Sequence, residues 1–478
     1  MHLRYFTVAL VMLVTILAKG QTGYKIDLKV HGLKDTTVYL AFFDQEKTYI
    51  KDTARVSHQG AFTFAGAKAL DQGVYTLVLN TTRVFDFVIG NSQHFSFETS
   101  SDDYIKKMIV KGDDDNRLFF ENLAFQGARY LEVEPSLKIL RDSTLGEDAK
   151  KAARTTYEEI HQKVKVFEDD ILQKHPSTVT ARMIRMNRQI VVPDAPKKAN
   201  GSIDSTFQFR YYRQHYFDNY DLGDALTLRV PKVIYEQKVK DYLDRLFIQH
   251  PDTVTKAIDH LVSIAKRDKE TYKYLVWKCI VNYQAPAIMG LDEVYVNLVD
   301  KYIATGEMDY WLDKKTVQNL VDYAGKVRRA MIGRTAPNMI MQNENLQQKS
   351  MYDLKNKYTL IWFFKPSCGH CREETPKLVQ FYNANRQKYN FEVFAVSTDT
   401  SMREMKDFIR DMNTKWITVN GPRSYVKKHF SEMYFAESTP TLYIIDNKKK
   451  IIARKLQVDQ LEGFFGNYEK MMQRKTGP

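Results

Sequence analysis

Cys368 and Cys371 flank Gly369-His370 directly after an apolar run, residues 359–364, that has the make-up of a buried strand. The residues beyond have helical spacing, so the pair falls at a strand-to-helix turn with a helix expected to begin near Cys371. A thiol at a helix N-terminus meets unpaired N–H groups and the positive end of the helix dipole, and both favour thiolate over thiol. Cys368 is therefore the expected nucleophile. Two intervening residues return the second sulfur to the first, so Cys371 can resolve a mixed disulfide formed at Cys368. His370, when protonated, would stabilise the Cys368 thiolate and make the pair more oxidising; its plain alternative is an exposed loop histidine. A structural zinc would want four protein ligands. The only other cysteine is Cys279, and the eleven histidines lack the short spacings of a metal site. Redox chemistry without metal or cofactor is the expectation.

Glu374-Thr375-Pro376 falls within the expected helix, where a proline removes one backbone donor and kinks the axis. Further along, Ser438-Thr439-Pro440-Thr441 precedes an apolar strand at residues 442–445, and a proline there is ordinarily a turn residue. With the CxxC, Pro376 and the Thr439-Pro440 pair in place, residues 334–478 resemble a thioredoxin-fold domain of the TlpA/ResA-like branch of periplasmic thiol–disulfide oxidoreductases. That resemblance implies a mixed sheet with helices on both faces, a cis peptide before Pro440, and a Thr439 backbone that pairs with an extended substrate. It also implies an acidic residue at Glu374 that tunes the site. The Gly-His pair is the one found in protein disulfide isomerases. Two departures matter. Ser367 replaces the family's usual tryptophan, and Trp362 replaces the buried aspartate of thioredoxin, so proton transfer at Cys371 needs another carrier. Glu374 is nearest by sequence, although an acid in the first turns of a helix also simply suits the dipole.

The remaining elements expected of this domain are strands at 391–396, 416–419 and 450–456, and helices at 401–412, 425–430 and 460–472. Ahead of it, residues 21–112 are patterned as an antiparallel β-sandwich, with alternation at 24–30, 37–42, 61–64 and 94–97. Residues 113–333 turn helical, with apolar stripes at 151–174, 231–250, 252–268, 269–283, 291–306 and 315–332, and with Pro231 and Pro251 at expected helix starts. Both regions resemble domains of unknown function that precede thioredoxin domains in exported proteins of Gram-negative gut anaerobes. The aromatic run Phe207 to Phe217 is expected to pack in a core, and Cys279 to be a buried apolar residue rather than a thiol that exchanges with Cys368.

Residues 1–20 have a basic start, an apolar stretch too short to span a bilayer, and Ala18-Lys19-Gly20, the pattern of a cleaved signal peptide. Export to the periplasm, where disulfides persist, follows as an expectation. Loss of that segment removes Arg4 and Lys19 and takes the formal charge from +13 to +11. No nucleic-acid motif accompanies the basic balance, so no nucleic-acid partner is expected. Two functions remain. One is a reductase or isomerase acting on protein thiols and disulfides, fed by a membrane electron donor if reductive and aided by a homodimer or client-holding surface if an isomerase. The other is a client-binding scaffold with an idle CxxC.

Overall fold

The computed structural model describes residues 23–197 and 200–476; the expected signal segment lies outside the described residues. The chain divides into two compact units, residues 1–242 and 243–478.

The first unit opens with eight strands: β1 (Tyr24–His31), β2 (Thr37–Asp44), β3 (Lys47–Arg55), β4 (Ala61–Gly66), β5 (Gly73–Leu79), β6 (Thr82–Ile89), β7 (His94–Ser100) and β8 (Ile109–Lys111). They form two four-stranded sheets, β4-β1-β7-β8 and β3-β2-β5-β6. Tyr24, Ile26, Leu28 and Val30 of β1 alternate into the core, as the period of two dictates. All pairings are antiparallel except β1 with β7, which run parallel. The core is aromatic, with Phe87 and Phe95 each 5.2 Å from Phe97 in edge-to-face contact. The pattern does not reveal β3 because only Ala54 of it is buried. Asn80 and Thr81, both at positive φ, turn β5 back into β6.

Four helices follow in this unit: α1 (Asp114–Arg141), α2 (Glu147–Lys174), α3 (Val179–Met186) and α4 (Phe207–His215). The Asp115 carboxylate accepts from the N–H groups of Val179 and Thr180 at 2.7 and 3.0 Å, which satisfies the open start of α3. Helix α4 corrects the expectation for the aromatic run. None of its residues is buried; Phe209 and Tyr212 are 48% and 37% exposed, and within the run only Tyr216, just past the helix, is buried. Its rings stack on one another instead, Tyr211 lying 4.1 Å from His215.

Helix α5 (Tyr235–Arg245) begins four residues after Pro231 rather than at it. In the second unit α6 (Pro251–Ala265) starts on its proline as expected, followed by α7 (Lys269–Gln284), α8 (Asp292–Leu298) with a π turn at Val299–Ile303, and α9 (Lys314–Arg329). Cys279 is buried on α7.

The rest of the unit is a seven-stranded sheet of β9 (Ile340–Asn343), β10 (Gln348–Ser350), β11 (Tyr358–Phe364), β12 (Phe391–Ser397), β13 (Ile417–Ser424), β14 (Thr441–Asp446) and β15 (Ile451–Arg454), ordered β10-β9-β13-β12-β11-β14-β15. Strands β11, β12 and β13 are parallel, and β14 runs against β11. Its helices are α10 (Gly369–Tyr389), α11 (Met402–Asp411), α12 (Phe430–Met433) and α13 (Leu461–Thr476). Every residue of β11 is buried, the mark of a central strand covered on both faces. Leu360, Trp362 and Phe364 pack with Leu378, Tyr382 and Phe465, while Phe363 on the opposite face meets Phe430, Tyr434 and Tyr443. The chain is thus multidomain, with a β-sandwich, a helical middle and a C-terminal thioredoxin-like α/β fold. The helix expected at 425–430 is absent, because β13 runs on to Ser424 and only Phe430–Met433 coil. Gly421 permits this close packing: a Cβ there would stand 2.7 Å from the Phe430 ring and 2.9 Å from the Ser397 carbonyl oxygen.

Candidate active site

Central strand β11 delivers the chain to Lys365-Pro366-Ser367, and the turn closes with the Cys368 N–H donating to the Lys365 carbonyl at 3.0 Å. Helix α10 starts at Gly369, earlier than the spacing predicts, so Cys368 is itself the capping residue. Its sulfur takes the place of a capping oxygen and accepts the Cys371 N–H at 3.4 Å. A side-chain sulfur in that role sits on the orphan donors of the first turn.

The second contact comes from the far side of the sheet's sequence. The Thr439-Pro440 peptide is cis, as the resemblance implies. The Cys368 thiol donates to the Thr439 carbonyl at 3.4 Å, and the Thr441 hydroxyl holds the loop by donating to the Ser438 carbonyl at 2.6 Å. Both cysteines are present as thiols.

Their environments differ. Partial burial works against ionisation of Cys368, but the Cys371 thiol and N–H, the Thr439 side chain and the His370 N–H together hold its pKa below the usual thiol value. Cys371 is fully buried above Trp362 and Leu378, and that burial, reinforced by the neighbouring Cys368, pushes its pKa up to about 11 against the backbone of Lys365 and the Thr439 side chain. The two sulfurs thus differ in setting, Cys368 half-buried and Cys371 buried.

His370 reaches Cys368 through its backbone; its ring is 83% exposed and lies 3.4 Å from the Glu373 carboxylate. Glu374 sits three residues beyond Cys371 on the same helix and pairs with Lys377 at 2.6 Å. Residues three apart on a helix are neighbours on its surface. Pro376 lies inside α10. Trp362 is buried with its indole N–H unpartnered among the described residues, so this position offers no titratable group to Cys371. The sequence reading passes over Arg372, whose Nε donates to the Pro366 carbonyl at 3.0 Å and whose guanidinium covers the Phe408 ring. Phe408 lies 36 residues on, so no local signal marks that contact. Among the described residues no group of three or more His, Cys, Asp or Glu is arranged to hold a metal ion, and no helix is long and apolar enough to cross a membrane.

Three family models match successive stretches of the chain: a domain of unknown function (DUF4369) over residues 24–119, a second such domain (DUF5106) over 168–327, and the AhpC/TSA family over 332–454. A nucleoredoxin from Arabidopsis thaliana is 27% identical over 123 residues, 26% of this chain and 21% of its own length. Thiol-disulfide oxidoreductase ResA from Bacillus cereus is 23% identical over 140 residues, 28% of this chain and 78% of ResA. A solved thiol:disulfide interchange protein from Bacteroides sp. is 30% identical, matching 30% of this chain and 90% of its own with a TM-score of 0.26. The chain therefore spans about a fifth of the nucleoredoxin and more than three quarters of ResA. Residues 332–454 thus form an AhpC/TSA thioredoxin-like domain, and the proteins it is similar to include the ResA thiol-disulfide oxidoreductases.

Proposed function

We propose that the protein is a periplasmic protein-disulfide reductase or isomerase that works by dithiol–disulfide exchange through Cys368 and Cys371. The observation that carries this reading is the geometry at Cys368, whose sulfur caps α10 by accepting the Cys371 N–H at 3.4 Å and lies 3.4 Å from the Thr439 carbonyl of the cis Thr439-Pro440 turn. The Cys368 thiolate attacks one sulfur of a client disulfide, the S–S bond breaks, and the other client sulfur leaves as a thiolate. Cys371, once deprotonated, attacks the Cys368 sulfur and expels the second client thiolate. Two electrons pass to the client and a Cys368–Cys371 disulfide remains. A reductase then needs a membrane electron donor to restore the dithiol, whereas an isomerase needs the client held nearby, by a homodimer or by the domains ahead of residue 334. The Thr439-Pro440 backbone aligns the extended client strand beside Cys368.

Burial pushes the Cys371 pKa up, so a base assists its attack. Glu374 fills that role in this reading, one turn along α10 and coupled to Lys377. Glu374→Gln is expected to slow release of the mixed disulfide by about tenfold to 100-fold while leaving its formation intact. A change under about threefold in stopped-flow measurements of both steps would assign the proton to solvent instead.

The pH dependence follows in sign from the two shifts. A thiolate accumulates as pH rises through its pKa, so a lowered pKa extends Cys368 reactivity to the acid side, and a raised one withholds Cys371 until strongly alkaline pH. Iodoacetamide at about pH 6.5 is expected to add one label, at Cys368, with Cys371 unmodified. Equal labelling of both, or of neither, would contradict the assignment. Equilibration of the pair against glutathione buffers then sets the direction. A potential near or below about −250 mV marks a reductase, about −120 to −180 mV an oxidant or isomerase, and failure to equilibrate favours the scaffold reading.

A further inference from the structure

The segment that carries Thr439 has little regular structure of its own between α12 and β14, yet Tyr434, Phe435 and Ala436 are buried. What holds it is helix α9. Tyr323, Lys326 and Arg329 recur every three residues and so share one side of that helix. The Tyr323 ring stands edge-on to the Phe435 ring at 5.2 Å, Lys326 pairs with Glu437, and the Arg329 guanidinium donates to the Glu432 carbonyl at 2.6 Å. Phe435 is fixed from its other sides by the Lys455 ammonium over its ring and by the Tyr443 hydroxyl donating to its carbonyl at 2.8 Å. Helix α9 is itself anchored through buried Leu320, Ala324 and Val327, and the Leu320 carbonyl accepts from the Tyr295 hydroxyl at 3.0 Å. Glu437 precedes Thr439 by two residues, and Thr439 meets Cys368. Only Ser438 separates Glu437 from Thr439, so a displacement at Glu437 acts close to the sulfur contact.

We propose that helix α9 is a positioning element for the Thr439-Pro440 loop, with Tyr323 and Lys326 as positioning residues that set the distance between Thr439 and the Cys368 sulfur. The helical region ahead of the thioredoxin-like domain then has a task in the chemistry, and whatever loads or shifts α9 tunes the exchange. This rests on the exchange reaction proposed above.

The test uses the full-length reduced protein and a peptide carrying a mixed disulfide with glutathione. Tyr323→Ala and Lys326→Glu should each slow reduction of that peptide by about tenfold. Each should also move the midpoint of the pH profile of Cys368 alkylation upward, because the Thr439 side chain no longer supports the thiolate. Tyr323→Phe, which keeps the ring pair, and the double swap Lys326→Glu with Glu437→Lys should restore both. A purely structural helix would lower the melting temperature and leave the alkylation midpoint in place. Lys326 and Glu437 are about half exposed, so their variants fold even if Tyr323→Ala does not. Unchanged rate and midpoint in Lys326→Glu, in a background where the wild type exchanges, would overturn the proposal. Wild type that fails to exchange would instead overturn the reaction on which it rests.

Discussion

A Cys371→Ser variant should accumulate covalent complexes with its protein substrates, and a Cys368→Ser variant should form none and lose exchange by about 10³-fold or more. The two residues differ in exposure and in ionisation, so the two substitutions interrupt different steps. Cys368 caps α10 at the surface, and its thiolate is supported by the Cys371 N–H and the Thr439 side chain. Serine there has a hydroxyl that caps the helix equally well but does not ionise near neutral pH, so the fold survives and the attack does not. Cys371 contributes nothing to the first attack beyond a donated proton contact. With serine in its place the mixed disulfide at Cys368 forms and then waits for an external thiol. The check is a non-reducing gel of a whole-cell extract, with mass spectrometry of the trapped species. Complexes that dissolve in dithiothreitol and require Cys368 are the expected outcome. Trapping by Cys368→Ser at the same level would reverse the roles of nucleophile and resolver, and trapping by neither would leave the pair without a protein substrate.

The chemistry was more legible in the chain than its setting. A CxxC between an apolar strand and a helix, and a Thr-Pro ahead of another apolar strand, are local patterns, and the structure brings Cys368 and Thr439 together although they are 71 positions apart. Their meeting is carried by β11 and β14 lying side by side, a tertiary fact that only the family resemblance anticipates. Elements whose signal is tertiary were hidden. Helix α1 buries only scattered residues and contains Pro135, so it has no stripe to read. Strand β3 is almost wholly exposed, and β13 continues past the expected end because Gly421 lets Phe430 close over it. The aromatic run at α4 misleads for the converse reason: hydrophobic residues at helical spacing imply a face, not that something covers it. The same holds for Lys326 and Glu437, two ordinary surface charges until α9 is seen against the loop before Pro440.

Asp292→Ala should destabilise the second unit by about 3 to 5 kcal/mol, the largest stability effect expected of any single polar substitution here. Asp292 opens helix α8 and is 9% exposed; Arg454, at the end of edge strand β15, is 3% exposed, and the two form an ion pair. Burial draws the Arg454 pKa down to about 10 from its ordinary 12.5. Burial of the guanidinium, which stays charged, therefore costs stability unless an opposite charge compensates it. The Asp292 carboxylate offsets it, and the positive end of α8 favours that carboxylate in turn. Removing the acid alone strands the cation in an apolar setting. Removing both charges does not, so Asp292→Ala combined with Arg454→Met should recover most of the loss, and Arg454→Met alone should fall between them. Urea denaturation of the three variants measures the cycle. A loss under about 1 kcal/mol for Asp292→Ala would mean that water reaches Arg454 and that the pair is an ordinary surface contact. With the expected loss, the junction between helix and sheet is held by charge compensation, and the register of β15 beside β14, and through β14 of the Thr439-Pro440 turn, depends on a residue in the helical region.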